Sequence, residues 1–260
     1  MMKLALDRGV NKIILAMGGS ATVDGGCGIL SALGVTFLDD EGTILLKPNP
    51  ENLKRLASID ASNLDPRIAN CEIVVLCDVD NKLLGEEGAA AVFGPQKGAT
   101  EELVQQLDAF LTHFAAVTLK SRNINIDNIE YGGAAGGATA GVHAYLNARL
   151  VNGIAYFLEL TEFDKSLGNA SVVITGEGSI DSQTLQGKGP FGVAAMAKAH
   201  NVPVIAVAGK VPLNNDEELR KYFDVLLAIG NEPADIETAM KNTEANLVRM
   251  GNDIGHMLAL

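Results

Sequence analysis

A chain of 260 residues, 47% of them hydrophobic, can build one large core or two modest ones; its 28 glycines fall in clusters rather than at a fixed period, which excludes collagen-like and low-complexity chains. A formal charge of −12 works against nucleic acid and anionic membranes as partners, so an anion has to be held locally, by backbone N–H groups, helix N-termini, a metal or a few aimed lysines. Cys27, Cys71 and Cys77, at unrelated spacings, argue against a disulfide framework or a zinc site and read as small buried residues; with no signal-peptide pattern and no apolar run of membrane length, they describe a reduced, cytosolic protein.

Residues 1–9 read as the last turns of an amphipathic helix ending at Gly9, directly before a strand over 12–17. A domain that opens on the tail of a helix implies further chain upstream. Residues 18–26 form a loop, followed by a short helix over 27–33 closed at Gly34. Segments 35–38 and 43–46 flank Asp39-Asp-Glu-Gly42 as the arms of a hairpin, and 51–58 reads as a short helix. A strand over 72–77 stops at Asp78-Val-Asp-Asn81. The clearest helix runs from 101 to about 122: Leu103, Val104, Leu107, Phe110, Leu111 and Phe114 share one face, behind Thr100 as N-cap and two acids. The polar stretch 121–131 marks a domain boundary. After it, Gly132 to Gly137 enters a helix reaching about 149.

The remaining pattern is regular, with strands at 171–175, 202–208 and 225–229 and helices at 191–200, from about 216 and from about 234. Alternation of this kind implies a parallel sheet of right-handed crossover units. The first part, with its hairpin, reads as α+β. The expected fold is therefore α/β in two domains: a smaller mixed α/β domain over 1–130, and a parallel-sheet domain over 131–260.

The stretch with the most chemistry is Ile174-Thr-Gly-Glu-Gly-Ser-Ile-Asp-Ser-Gln-Thr-Leu-Gln-Gly-Lys-Gly189. An apolar run stops in a polar, glycine-rich loop before a helix, the place where open α/β sheets bind ligands. Glu177, Asp181 and Lys188 lie on that loop with Thr175, Gly176 and Gly178, and a plain connector has no need of three charges. The consequence is a small-molecule enzyme that handles a phosphate. Gly18-Gly-Ser-Ala-Thr-Val-Asp-Gly-Gly26 is either a phosphate-approaching loop or a tight strand-to-helix turn with Asp24 as a local cap. Asp78 and Asp80, with Asn81 beside them, either hold Mg²⁺ or take a hydroxyl proton, or simply make a turn. Gly94-Pro-Gln-Lys-Gly98 sets Lys97 between glycines, and Gly132 to Gly137 either borders a nucleotide or lets two backbones approach. Neither the dinucleotide fingerprint G-x-G-x-x-G nor a Walker A loop is present, which disfavours a nicotinamide-dependent dehydrogenase. His113 and His143 fall within helices and read as ordinary helix residues rather than members of a triad.

Taken in order, Gly18 to Gly26, Cys77-Asp-Val-Asp-Asn81, Phe93-Gly-Pro-Gln-Lys-Gly-Ala99, Gly133-Ala-Ala-Gly-Gly137, and Thr175-Gly-Glu-Gly-Ser-Ile-Asp181 with Gly187-Lys188 closely resemble the bacterial glycerate kinases of the first type, over nearly the whole chain. The resemblance implies ATP-dependent phosphorylation of the small molecule D-glycerate, commonly to 2-phosphoglycerate, with Mg²⁺. It also implies a flavodoxin-like domain into which a smaller mixed α/β domain is inserted. On this reading Asp181 accepts or orients the glycerate hydroxyl proton, Lys188 neutralises the transferred phosphate or the glycerate carboxylate, and Glu177 is a further catalytic residue on the same loop. Asp78 and Asp80 bind Mg²⁺ or the glycerate hydroxyls. Substrate or nucleotide lies along Gly18, Gly19, Ser20, Thr22, Asp24, Gly25, Gly26, Asn81, Lys97, Gly136, Gly137, Thr175, Gly176 and Gly178. The sequence departs from the family pattern at Val23, where Asn is usual, and at Lys82, where Pro is common. The family's further N-terminal segment, with its Asp-Ser-Phe-Lys and Asp-Gly-Gly-Glu-Gly motifs, is not in this sequence. The flavodoxin-like domain is then incomplete at its N-terminal side. That implies an exposed sheet edge, self-association or a separately supplied segment, and an alternative reading as a partial kinase.

Overall fold

The computed structural model describes residues 1–214, 216–230, 232 and 234–259, with every side chain among them except that of Gln186. It holds two parallel three-stranded sheets, one in each of two units, Met1–Gly153 and Ile154–Leu260. The fold is mixed α/β.

In the first unit, α1 (Met2–Asp7) precedes β1 (Lys12–Ala16), and α2 (Cys27–Ala32) leads to β2 (Thr36–Leu38), β3 (Ser58–Asp60) and β4 (Glu72–Cys77). Then come α3 (Ala89–Phe93), α4 (Glu101–Arg122), α5 (Ala138–Leu146) and β5 (Arg149–Asn152). The sheet order is β1-β4-β5, all parallel, with Ile14 opposite Val74 and Leu76 opposite Val151. This differs from the α+β reading of the first part. The cause is β5, a four-residue strand hidden behind a helix expected to continue to 149. The helix stops at Leu146 because Asn147 turns into the left-handed region (φ 54), and the chain emerges extended beside β4. Because β5 completes this sheet and α5 packs on α2 and α4, the polar stretch 121–131 lies inside the first unit and the units meet at 153/154.

The hairpin is also replaced. β2 pairs antiparallel with β3, Phe37 opposite Ile59, and the arm at 43–46 meets β2 only through an isolated bridge between Leu38 and Ile44. Burial explains the choice: Phe37 and Ile59 are buried, whereas Ile44 and Leu46 are exposed. The buried Asp39 closes its own loop by accepting the Glu41 and Thr43 N–H groups and pairing with Arg55 at 2.6 Å. Residues 50–55 make hydrogen-bonded turns rather than a helix, and Ser58 already belongs to β3.

Helix α4 follows its sequence signals closely. The Thr100 hydroxyl accepts the Leu103 N–H, Glu101 and Glu102 occupy the first turn, Lys120 and Arg122 the last, and Asn123 ends it in the left-handed region. Its buried face is Phe110, Leu111, Phe114, Ala115, Val117 and Thr118. Leu103, expected on that face, is exposed, so the packed face sits toward the C-terminal end.

Helix α6 (Gly153–Leu160) starts at the boundary residue, and the second unit continues with α7 (Phe163–Leu167), β6 (Val173–Ser179), α8 (Gly189–Ala199), β7 (Val204–Lys210), α9 (Glu217–Arg220), β8 (Val225–Ala228), α10 (Ile236–Lys241) and α11 (Thr243–Leu258). Strand order is β6-β7-β8, all parallel. Val204 to Ala208 is an unbroken apolar run because both faces of the sheet are covered. Ala194 and Ala197 of α8 pack with Val173, Ala206 and Ala208 on one face, while Met250 and Ile254 of α11 pack with Ile205, Val207 and Leu227 on the other. Burying a side chain such as Ile254 contributes about 1.5–3 kcal/mol. Among the described residues no helix is long and apolar enough to cross a membrane.

Candidate active site

Strand β6 runs to Ser179, so Thr175, Gly176, Glu177 and Gly178 lie in the strand rather than in the loop expected there. Gly176 makes this possible, since a Cβ at that position would sit 2.2 Å from the Val207 carbonyl oxygen. Alternation along β6 sends Val173, Thr175 and Glu177 to one face and Ile174, Gly176 and Gly178 to the other.

On the first face the motif residues meet. The Thr184 hydroxyl, fully buried, donates to Glu177 Oε1 at 2.5 Å and accepts the Asp181 N–H at 3.2 Å. The ammonium of Lys188 lies 3.7 Å from Glu177 Oε2. Asp181 caps the 3-10 turn over Ser182–Gln186, its Oδ1 accepting the Gln183 N–H at 2.9 Å. Glu177 is thus fixed by two partners. Lys188, at the N-cap of α8 and 41% exposed, keeps donors turned to solvent. Asp181, expected to accept or orient the substrate hydroxyl proton, has one carboxylate oxygen engaged in capping. Thr184 carries the network and was not among the residues singled out in the sequence; the spacing Asp181-x-x-Thr184, a capping-box pattern, is the signal that locates it.

On the other face, the ends of β6, β7 and β8 and the helices α10 and α11 enclose an open cleft of about 1840 Å³. Gly176, Gly178, Gly209 and Gly230 line one part of it, where Glu177 and Ser179 also border it, and Leu247, Met250 and Ile254 line another. A Cβ on Gly178 would have nothing within 4 Å, so the backbone there is open to a ligand.

In the first unit the glycine loop divides into two halves with different neighbours. Gly25 donates its N–H to the Gly136 carbonyl at 3.1 Å. A Cβ on Gly136 would sit 2.0 Å from the Thr22 oxygen, and one on Gly26 would sit 3.0 Å from the Ala138 Cα. Gly137 at φ +83 is crowded by Leu83 and Leu111. At Gly26 and Gly136 glycine is therefore required by close packing of two backbones, at Gly25 by the Phe114 ring and at Gly137 by the Leu83 and Leu111 side chains, with Asp24 capping the turn through the Gly26 N–H. A Cβ on Gly18 or Gly19 would have nothing within 4 Å. Lys97 faces this open half, its Nζ donating to Ser20 Oγ at 2.9 Å and to the Thr22 carbonyl at 2.7 Å. Burial lowers the Lys97 pKa, against the pull of Asp24.

Asp78 and Asp80 are exposed just past the end of β4. Asn81 spans the following turn, donating to the Glu87 carbonyl at 2.8 Å and accepting the Gly133 N–H through its own carbonyl. Among the described residues no group of three or more His, Cys, Asp or Glu is arranged to hold a metal. Nearby, burial and the Glu130 side chain push the Tyr131 hydroxyl up to about 12. The three cysteines are free and buried, as the sequence suggests, and burial raises all three thiols. His113 and His143 bond to the Leu56 and Ala148 carbonyls, which makes them packing residues.

Comparison with known proteins gives these motifs their context. The sequence model of the glycerate kinase family matches residues 1–259. The chain belongs to the glycerate kinase family. A glycerate kinase of Bacillus cereus is 44% identical over 96% of this chain and 65% of its own length. The glycerate 2-kinase of Escherichia coli is 39% identical over 98% of this chain and 67% of its own length. A crystal structure assigned as glycerate kinase 2 from Salmonella typhimurium LT2 superposes with a TM-score of 0.82 at 41% identity, covering 99% of this chain and 67% of that one. This glycerate kinase family chain thus spans about two thirds of the length of the relatives it matches.

Proposed function

We propose that the protein transfers the γ-phosphoryl group of ATP to a hydroxyl of D-glycerate, with 2-phosphoglycerate as the product. The observation that carries this reading is the network of Lys188, Glu177, Thr184 and Asp181 at the end of a parallel strand, in a chain of the glycerate kinase family. Phosphoryl transfer asks mostly for positioning and charge neutralisation, with one group near the attacking hydroxyl to take its proton. The glycerate oxygen bonds to the γ-phosphorus, the bond from that phosphorus to the bridging oxygen breaks, and ADP leaves with the electron pair. Asp181 receives the hydroxyl proton on the carboxylate oxygen that does not cap the turn. Lys188, held in place by Glu177, balances the charge on the transferred phosphoryl oxygens. The nucleotide lies along the open backbone of Gly178 in the cleft of the second unit, whose apolar wall at Leu247 and Met250 suits a purine.

Asp78 and Asp80 are the carboxylates that would hold a magnesium ion. Two exposed carboxylates, without a third acidic ligand grouped with them among the described residues, suit an ion that keeps several waters rather than one in a protein cage. When bound, the ion would neutralise phosphate charge.

The test is ADP release by the purified 260-residue chain with ATP and Mg²⁺, with and without D-glycerate. Glycerate-dependent release is expected. Release that is absent, or indifferent to glycerate, overturns the reading.

A further inference from the structure

We infer that Lys210, at the carboxyl end of the central strand of the second unit's sheet, binds the phosphates of the nucleotide. This rests on the kinase reading and adds a residue to the same site.

The strand register places this lysine. Ser179 of β6 lies opposite Lys210 of β7, two residues beyond the pair of Glu177 and Ala208. The Ile180 N–H extends the ladder by donating to the Lys210 carbonyl at 2.9 Å. Alternation along β7 sets Lys210 on the face of Ala206 and Ala208, and the parallel pairing sets Glu177 on that face too. With a rise of about 3.3 Å per residue and strands about 4.8 Å apart, the Lys210 Cα stands about 8 Å from that of Glu177. Lys210 also borders the cleft, and among the described lining residues it is the sole lysine or arginine. It therefore stands where the cleft meets the network of Glu177, Thr184 and Lys188. The backbone beside it is bare: a Cβ on Gly209 would come 2.9 Å from the Gly178 carbonyl oxygen, and Gly178 itself faces open space.

An exposed lysine at a strand end is ordinarily no more than solvated. Two observations set this one apart. The carboxyl end of a parallel strand is where such sheets take their ligands. The charge around it is also one-sided. The network sets Glu177 and Asp181 against Lys188, whose ammonium already lies 3.7 Å from Glu177. Glu232 and Asp235 add two more carboxylates to the cleft wall. Asp235 accepts from the Thr238 N–H and hydroxyl, and among the described residues no carboxylate pairs with the Lys210 ammonium. Left to these carboxylates alone, a phosphate chain would be repelled from the very strand ends that have to hold it. Lys210 is the group that offsets the repulsion there, as a compact point charge with three donors. The cleft selects the ligand: at about 1840 Å³ it is far larger than a three-carbon acid requires, whereas it holds a nucleotide.

The test is calorimetry of the purified 260-residue chain with ADP and with adenosine, both without divalent metal, so that no metal ion supplies the charge. Lys210→Met should weaken ADP binding at least about tenfold, the value of one lost charge-assisted hydrogen bond, and leave adenosine binding unchanged. Lys210→Arg should recover most of the loss, and Lys241→Met, an exposed lysine outside the cleft, should show none. Lys210 is exposed, so the Met variant removes no buried contact, and circular dichroism checks that it folds. A second readout uses the parent chain. Trace acetylation, read peptide by peptide against Lys241, should slow about tenfold at Lys210 with ADP at ten times its dissociation constant. D-glycerate alone should not slow it. Unchanged ADP affinity in Lys210→Met, an equal loss for adenosine, no ADP binding by the parent, or protection by D-glycerate alone overturns the proposal. Glycerate-dependent ADP release with the same KM for ATP in Lys210→Met sinks this site and leaves the kinase reading standing. Lys210-dependent ADP binding in a chain without glycerate-dependent release does the reverse.

Discussion

Asp181 carries two loads, and substitutions can separate them. Its carboxylate caps the 3-10 turn, and Asn caps about as well as Asp, whereas Ala costs about 1 kcal/mol. Asp181→Asn should therefore keep its unfolding free energy within about 0.5 kcal/mol of the parent. Its turnover should fall at least about a hundredfold, the lower range for losing a general base. Asp181→Ala should lose both. Near-normal turnover in Asp181→Asn would leave Asp181 as a cap alone. Thr184 is the companion case. Thr184→Val keeps the shape but leaves Glu177 Oε1 and the Asp181 N–H without their buried partner, which should cost about 1–3 kcal/mol in urea unfolding. Thr184→Ser should recover most of it, and a loss below about 0.5 kcal/mol in the Val variant would show that water replaces the hydroxyl. Glu177, Asp181 and Lys188 were legible in the sequence because three charges in a glycine-rich stretch need a reason. Thr184 was not, because a hydroxyl among Ser, Gln and Thr does not announce which of them is buried.

At the scale of elements, glycines and strand ends make the sharper tests. Gly136 sits at φ +69, and an added Cβ would meet the Thr22 carbonyl at 2.0 Å. Gly136→Ala should cost more than the about 1–2 kcal/mol of left-handed backbone alone, because the two loops must also part. Gly18→Ala, with open space around it and no positive φ, should leave stability within about 0.5 kcal/mol. A Gly136→Ala variant as stable as the parent would contradict the packing described for that loop. The sequence marked both glycine clusters but could not sort them, since a glycine tells of close approach or unusual φ and not of whether a ligand or a backbone comes near. Strands β3 and β5 escaped notice for a related reason: three or four residues carry no measurable period, and their pairing is decided by partners far along the chain. Asp224 ties two such partners, bonding the Lys198 ammonium at 2.6 Å and the Val204 N–H at 2.7 Å. Burial works to raise its carboxyl, and these two partners outweigh it, so its pKa lies below the ordinary value. A carboxyl depressed on folding stabilises fully above its unfolded pKa and loses that contribution as pH falls through the folded one. Asp224→Asn should accordingly unfold at lower urea than the parent at pH 7, with the gap closing below about pH 4. A gap that persists at pH 2 would assign the effect to geometry rather than charge.

At the scale of the whole molecule, the alternation of strands and helices over 171–258 made the second parallel sheet legible, down to its order of elements. The first sheet was not, because residues 17–71, with α2, β2 and β3 among them, divide β1 from β4 in the chain and conceal that they lie side by side. Motif order carried the family where secondary structure could not: each motif alone admits a plain turn, while their sequence along the chain matches one family over residues 1–259. The central claim, a glycerate-directed phosphoryl transfer, is tested most directly by following ADP release from the 260-residue chain with ATP and Mg²⁺ while D-glycerate is added and withdrawn. The account predicts saturable release that requires D-glycerate and disappears in Lys188→Met. Release that ignores D-glycerate, or no release from a chain shown to be folded, would contradict it.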